Sequence, residues 1–171
     1  SATHFNAAID CLMYCKHTKD KGIRWTKSID RPCKIYGYCD ADLGMHFSGR
    51  SRTGSVIFMT RGPVACTSFL QSVIQLSTTA AELVALMYCA MTVGMIRNLL
   101  KEIGYEQLGP TVIAEDNMSA IAVANSQSNL PKRSKYLDLR TLKIKQMVDT
   151  GVIAPQHVRT AHQIADLLSK N

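Results

Sequence analysis

The segment that most narrows the folds open to this chain is TTAAELVALMYCAMTVGMIRNLLKEIG, beginning at Ser77 or Thr78. Its first half is apolar nearly all round, so a helix formed there must run through packed surroundings rather than lie on a surface. Glu82 stands in its first turns, and Gly94 marks a break or a close contact. Such a helix needs other elements to cover it.

The flanking segments supply them. KIYGYC alternates as a strand does and delivers Asp40 at its C-terminal end, SGRSRTG is a turn, and GSVIFMT and VACTSF form an antiparallel hairpin about RGP. Downstream, TVIAE reads as a short buried strand, and Asp116-Asn117 begins a helix MSAIAVANSQ. A further helix, YLDLRTLKIKQMVDTG, is closed by Gly151 and offers Tyr136, Leu139, Leu142 and Met147 to an apolar face. VIAPQHV is a weak strand whose Pro155 suggests an edge, and Thr160 with Gln163 begins a terminal helix AHQIADLLSK through a capping box. FNAAIDCLMYC forms a leading helix with a basic exit. The order is a leading helix, then β-β-β-α-β-α-α-β-α, which predicts an α/β fold with one mixed sheet and helices on both faces.

At 171 residues the chain suits one domain, and 46% hydrophobic with 19% charged residues excludes a disordered chain. No run of 18 apolar residues escapes a charge or polar break, and the N-terminus lacks the succession of a secretory signal, which argues against membrane insertion and secretion. The six cysteines lie within the first 89 residues with no CxxC pair, and several occupy apolar patterns as buried reduced thiols do. His4, Cys11, Cys15 and His17 match zinc spacing only loosely. Trp25 reads as core packing rather than a stacking residue.

The net charge of +7 is unevenly placed. Residues 1–34 carry 7 basic and 3 acidic residues, residues 35–128 carry 5 and 7, and residues 129–171 carry 8 and 3. An acidic middle between basic flanks suits a metal-dependent site bordered by a phosphate-binding surface, while a solvated charged face explains either flank alone.

Four carboxylates stand where chain geometry can gather them: Asp40 leaving the first strand, Glu82 in the apolar helix, Asp116 ending the later strand and Asp166 in the final helix. Two divalent cations clamping a phosphoryl transfer need acids so placed, and like charges that close raise one another's pKa unless metal neutralises them. Each acid also has an ordinary reading. Asp40 or Asp42 can initiate a turn, Glu82 can complete a capping box with Thr79, Asp116 can be an N-cap, and Asp166 can face solvent.

In this order and at these separations, GYCDAD, STTAAELVAL, EDNMSAIAVA and QIADLLSK resemble the ribonuclease H domain of Ty1/copia-type retrotransposon reverse transcriptases. The family motifs are similar to Y-S-D-A-D-W, S-S-T-E-A-E, C-D-N-x-S-A and Q-L-A-D-x-L-T-K. The likeness covers about residues 35–170. It implies two parts: residues 1–34 as a linking segment with an N-terminal helix, and residues 35–171 as a ribonuclease H-like domain with a five-stranded mixed sheet flanked by helices.

The resemblance further implies hydrolysis of the RNA strand of an RNA/DNA hybrid during reverse transcription. Two Mg²⁺ ions, with Mn²⁺ as a substitute, would be held by Asp40, Glu82, Asp116 and Asp166. The implied partners are the hybrid and the polymerase portion of the same polyprotein, with no membrane. The implied location is intracellular, in a cytoplasmic virus-like particle with a nuclear phase. Leu43 stands where the family has Trp, Ala80 replaces the first Glu of T-E-A-E, and Glu115 replaces the Cys before the third acid. Glu115 adds negative charge beside Asp116 and bears on metal affinity.

Related cellular enzymes use a mobile His before the last helix in product release, and His157 and His162 are the candidates here. The densest basic series, Lys132, Arg133, Lys135, Arg140, Lys143 and Lys145, suits phosphate contact, as do Arg50 and Arg52 after Asp40. Asn117 and Ser119 are placed to meet sugar or phosphate. The competing functions are a catalytically weak or inactive nucleic-acid-binding domain, and a domain whose main role is docking a polymerase.

Overall fold

The computed structural model describes residues 1–26, 33–126 and 139–170. Its elements are α1 (Ala2–His17), β1 (Ile35–Ala41), β2 (Arg52–Met59), β3 (Gly62–Leu70), α2 (Thr78–Glu102), β4 (Thr111–Glu115), α3 (Met118–Asn125), α4 (Leu139–Asp149), β5 (Ile153–His157) and α5 (Asp166–Ser169). The sheet has five strands in the order β3-β2-β1-β4-β5.

Local chemistry explains this order. β1, β2 and β3 are joined as an antiparallel meander, with Asp40 opposite Gly54 and Ala41 opposite Thr53. The chain then crosses through α2 to the other side of β1, where β4 pairs parallel to β1 and β5 parallel to β4. β1 therefore sends the chain one way across the sheet and β4 sends it the other. In open α/β sheets, ligands bind outside the carboxyl ends of strands at such a switch point. Pro155 lies in β5, which among the described residues pairs only with β4, so the edge position read from the sequence is observed.

The core lies between the sheet and α2. Ile35, Cys39, Ile57 and Ile113 meet Ala85, Leu86, Cys89 and Val93, and Ile144 and Met147 of α4 extend the cluster. A Cβ at Gly37 would stand 3.0 Å from Cys89 Sγ, so glycine lets α2 lie close on β1. By length and composition alone α2 could cross a membrane. Here Ala85, Leu86, Cys89 and Val93 pack in the core while Tyr88, Met91, Met95 and Leu99 stay exposed, so the helix is covered on one side and not all round as its apolar first half predicts. It runs unbroken through Gly94, where a Cβ would meet Met147 Cε at 3.5 Å, so that glycine marks a close contact.

Several expectations need correction. The terminal helix is not continuous: Thr160–His162 form a single 3₁₀ turn, and α5 begins only at Asp166. Gln163 is turned inward to backbone carbonyls of the sheet, so it does not close a capping box. Trp25 is exposed, its indole lying over Gly62 and donating to the Pro63 carbonyl at 3.2 Å. Cys39 and Cys89 are buried, but Cys11, Cys15 and Cys66 are exposed, because α1 buries no residue and Cys66 points away from the core. His17 Nδ1 lies 2.7 Å from the Met13 carbonyl oxygen, a helix-end contact.

α1 leaves Phe5, Leu12 and Tyr14 largely in solvent. A helix of this length without tertiary contacts is marginal in water. Amide hydrogen exchange measured on the protein alone should therefore be orders of magnitude faster in α1 than at the buried positions of α2. Equal protection would show that tertiary contacts hold α1 and would overturn its independence.

Candidate metal centre

Each of the four acids comes from a different element. β1 ends on Asp40 and Ala41, and the strand's geometry leaves Asp40 buried at the carboxyl edge of the sheet. α2 starts where Ser77 Oγ accepts from the Ala80 N–H at 3.1 Å, so Ser77 is its cap. Glu82 is free of capping and lies buried one turn further on. At the end of β4 the cap of α3 is Asn117, whose Oδ1 accepts from the Ala120 N–H at 3.0 Å, leaving Asp116 free for other work. Ordinary roles open to Glu82 and Asp116 are thus taken by their neighbours.

One carboxylate oxygen from each of Asp40, Glu82 and Asp116 lies within 4.8 Å of the others. Asp166 borders this group from α5, half-buried, and its charge is felt at Asp40. Glu82 Oε2 and Asp166 Oδ1 are buried with no hydrogen-bond partner among the described residues. An orphaned carboxylate oxygen is costly unless a cation meets it. Hard oxygen donors gathered this way fit a hard divalent cation.

The electrostatics agree. Burial pushes the Asp40 carboxyl up to about 6; the Ser169 hydrogen bond opposes this, and Asp166 and Asp116 reinforce it. Glu82 is raised well above the carboxylate range, first by burial and then by Glu115, Asp40 and Asp116. Glu115 is raised by burial, against hydrogen bonds from the Asn117 N–H at 3.0 Å and the Cys39 thiol at 3.2 Å. Three neighbouring carboxyls thus all favour the proton in the absence of a cation.

Residues not singled out by their sequence complete the surroundings. Ser169 Oγ donates to Asp40 Oδ2, Thr160 Oγ1 donates to Asp116 Oδ2 at 2.9 Å, and Lys170 Nζ meets Asp166 Oδ2 at 2.5 Å. Hydroxyls 44 and 129 residues from the acids they hold leave no linear signal of that pairing. Gly54 is also needed, since a Cβ there would stand 2.7 Å from the Ala165 carbonyl oxygen and 2.8 Å from the Ser169 nitrogen.

The remaining candidates are placed unevenly. His157, exposed at the end of β5, pairs in register with Glu115 and so lies at the acidic end of the sheet, while His162 is exposed in the 3₁₀ turn. Arg52 opens β2 and Arg50 donates from Nε to Ser48 Oγ at 3.1 Å, both just outside the Asp40–Gly54 pair. Asn117 is committed to its cap through Oδ1, and Ser119 is exposed on α3. Lys132, Arg133 and Lys135, with Tyr136, lie outside the described residues.

On α4 the basic series divides. Arg140 is half-buried, and Lys145 is on the buried face, contrary to the reading of it as a phosphate contact. Lys143 bonds Gln146 at 2.9 Å and, with Met91, Met95 and Met147, lines a cleft of about 510 Å³ between α2 and α4. That cleft begins nine residues beyond Glu82, roughly 13 Å along the helix.

A five-stranded mixed sheet of this order, with acids converging at its switch point, defines the ribonuclease H fold, and solved structures agree. LC11-RNase H1 in complex with an RNA/DNA hybrid superposes with a TM-score of 0.58 at 18% identity, covering 79% of this chain and 93% of that one. No protein-family model matches the chain. By sequence the chain is homologous to Ty1/copia-type Pol polyproteins. It is 29% identical over 98% of its length to the Pol polyprotein of transposon RE2 of Arabidopsis thaliana, and 32% identical over 80% to that of transposon TNT 1-94 of Nicotiana tabacum. The Ty1-ER2 Gag-Pol polyprotein of Saccharomyces cerevisiae matches at 20% over 94% of the chain. The chain spans only 9% to 11% of the length of these relatives.

Two predictions follow from the centre. A carboxyl with a raised folded pKa binds more protons folded than unfolded, so its stabilising contribution is present below the unfolded value and lost as pH rises through the folded one. The metal-free protein should therefore lose thermal stability as pH rises from about 4 through 6 and beyond, and millimolar Mg²⁺ should flatten that decline. Melting curves at stepped pH, with and without Mg²⁺, measure this; a metal-free stability that climbs with pH would contradict it. Gly54→Ala should cost about 1–3 kcal/mol by forcing α5 off β2. Denaturant unfolding reads that loss, and an unchanged midpoint would mean that α5 is free to shift.

Proposed function

We propose that this chain is a ribonuclease H that hydrolyses the RNA strand of an RNA/DNA hybrid with divalent metal ions. The convergence of Asp40, Glu82 and Asp116 oxygens within 4.8 Å, beside unpartnered buried oxygens of Glu82 and Asp166, carries this reading. Asp40, Glu82, Asp116 and Asp166 would hold two ions, Mg²⁺ by preference and Mn²⁺ as a substitute. When bound, such ions supply Lewis acidity that activates water and stabilises a departing oxygen.

The chain's own residues do the rest. The four carboxylates fix positions and become no covalent nucleophile; scission of the phosphodiester leaves a 5′-phosphate on one product and a 3′-hydroxyl on the other. Arg50 and Arg52 lie beside Asp40 where a backbone phosphate would pass, and Ser119 offers a hydroxyl on the first turn of α3. His157 pairs in register with Glu115, and His162 follows by two residues the Thr160 that bonds Asp116, so both remain candidates to meet a leaving product.

Residues 1–34 are read as the connecting segment toward the polymerase portion of the polyprotein. The exposure of Phe5, Leu12 and Tyr14 on α1, which buries nothing in this chain, favours a docking role for that helix alongside catalysis.

End-labelled RNA/DNA hybrid, single-stranded RNA and DNA duplex, incubated with Mg²⁺, Mn²⁺ or EDTA, test the activity. Cleavage should fall only on RNA in the hybrid, vanish in EDTA, and drop by at least about 100-fold in Asp116→Asn with the fold retained. Undiminished cleavage by Asp116→Asn would remove the assigned centre, and hybrid binding without metal-dependent cutting would leave a non-catalytic binding domain.

A further inference from the structure

The parallel ladder between β1 and β4 is short. Its paired positions are Gly37 with Ile113 and Tyr38 with Ala114, although β1 runs on to Ala41 against β2, and β4 runs on to Glu115 against β5. Beyond Tyr38 and Ala114 each strand keeps only its outer partner. Among the described residues the strand that carries Asp40 and the strand that leads into Asp116 therefore part just before those acids.

One side chain sits in that parting. Gln163 is buried, and its Nε2 donates to the Cys39 carbonyl of β1 at 2.9 Å and reaches the Ala114 carbonyl of β4 at 3.4 Å. Its Oε1 accepts from the Ala165 N–H at 3.3 Å, so the amide is held by its own turn while it spans the two strands. The bonded carbonyls belong to the residue before Asp40 and to the residue two before Asp116.

The rest of the segment fastens the same unit. Val158 N–H donates to the Glu115 carbonyl at 3.0 Å, Thr160 holds Asp116, Ser169 holds Asp40, and Ser68 Oγ donates to the Leu168 carbonyl at 2.6 Å. The hydroxyls of Thr160 and Ser169 each engage Oδ2 of their acid, which orients the carboxylate. We infer that Gln163 is a positioning residue that sets the spacing of Asp40 and Asp116, and with it the geometry of the metal pair. This rests on the proposed metal-dependent reading of the centre.

Mg²⁺ demands near-ideal octahedral geometry, and larger or more tolerant ions accept distortion more readily. Replacing Gln163 should therefore damage Mg²⁺ use more than Mn²⁺ use, which a loss of fold alone would not do. The variants are Gln163→Leu, which fills the space without bridging, and Gln163→Glu, which keeps the shape but cannot donate from the position of Nε2 when ionised. Ser169→Ala serves as a second, milder perturbation should either fail to fold.

Two measurements are made on the 171-residue chain and on each variant of it: cleavage of hybrid in Mg²⁺ and in Mn²⁺, and the rise in melting temperature on titrating each metal alone. Gln163→Leu should lose at least about 10-fold in Mg²⁺ cleavage, as disturbed outer-shell partners do, with a smaller loss in Mn²⁺. Its thermal response to Mg²⁺ should shift to higher concentration, while hybrid affinity in EDTA stays as in wild type. Equal losses in both metals, or an unshifted Mg²⁺ titration, would overturn the role of Gln163. A wild type that binds Mg²⁺ but cuts nothing would overturn the ribonuclease reading instead, leaving the metal titration to judge Gln163.

Discussion

The repulsion among carboxylates in a small desolvated space is the constraint around which this structure is arranged. Water would disperse such charges, so the fold must supply their gathering from elements that are stable for other reasons. β1 is held by its ladder to β2, α2 by its apolar contact with β1 and α4, and β4 by pairing on both sides. The acids ride on these elements at their edges. Burial first, and like-charge neighbours after it, raise the proton affinity of Asp40, Glu82 and Glu115, and a bound divalent cation would oppose both.

Glu115 adds to that strain from the position next to Asp116. Fully buried, it is accommodated by a backbone N–H and by the Cys39 thiol, so Cys39 and Glu115 form a matched pair across β1 and β4. The same two strands are bridged by Gln163 and separate immediately beyond it. Core packing, charge and strand pairing therefore meet at one place, the carboxyl end of the only parallel contact that β1 makes among the described residues.

Much of the fold was legible because it is written in local periodicity. The alternation of KIYGYC, the apolar run after Ser77, the edge proline of β5 and the order of elements all survive in the structure, since each depends on neighbours within a few residues. The four acids could be singled out because each stands near the end of a strand or in the first turns of a helix, positions that local pattern marks. Where the sequence misled, a longer-range partner had won: Gln163 left its cap for two strand carbonyls, Lys145 turned to the buried side of α4, and Trp25 covered Gly62 from outside.

By itself the sequence determined which segments would be strands and helices, and which acids stood at their ends, because hydrophobic period and turn chemistry act over a few residues. Only the tertiary structure decided that Asp40, Glu82 and Asp116 share one small space, that Ser169 and Thr160 serve acids 129 and 44 residues away, and that Gly54 must lack a side chain. Those relations depend on strand order and on the seating of α5 against β2, which arise from packing between distant parts of the chain and leave no periodic mark along it.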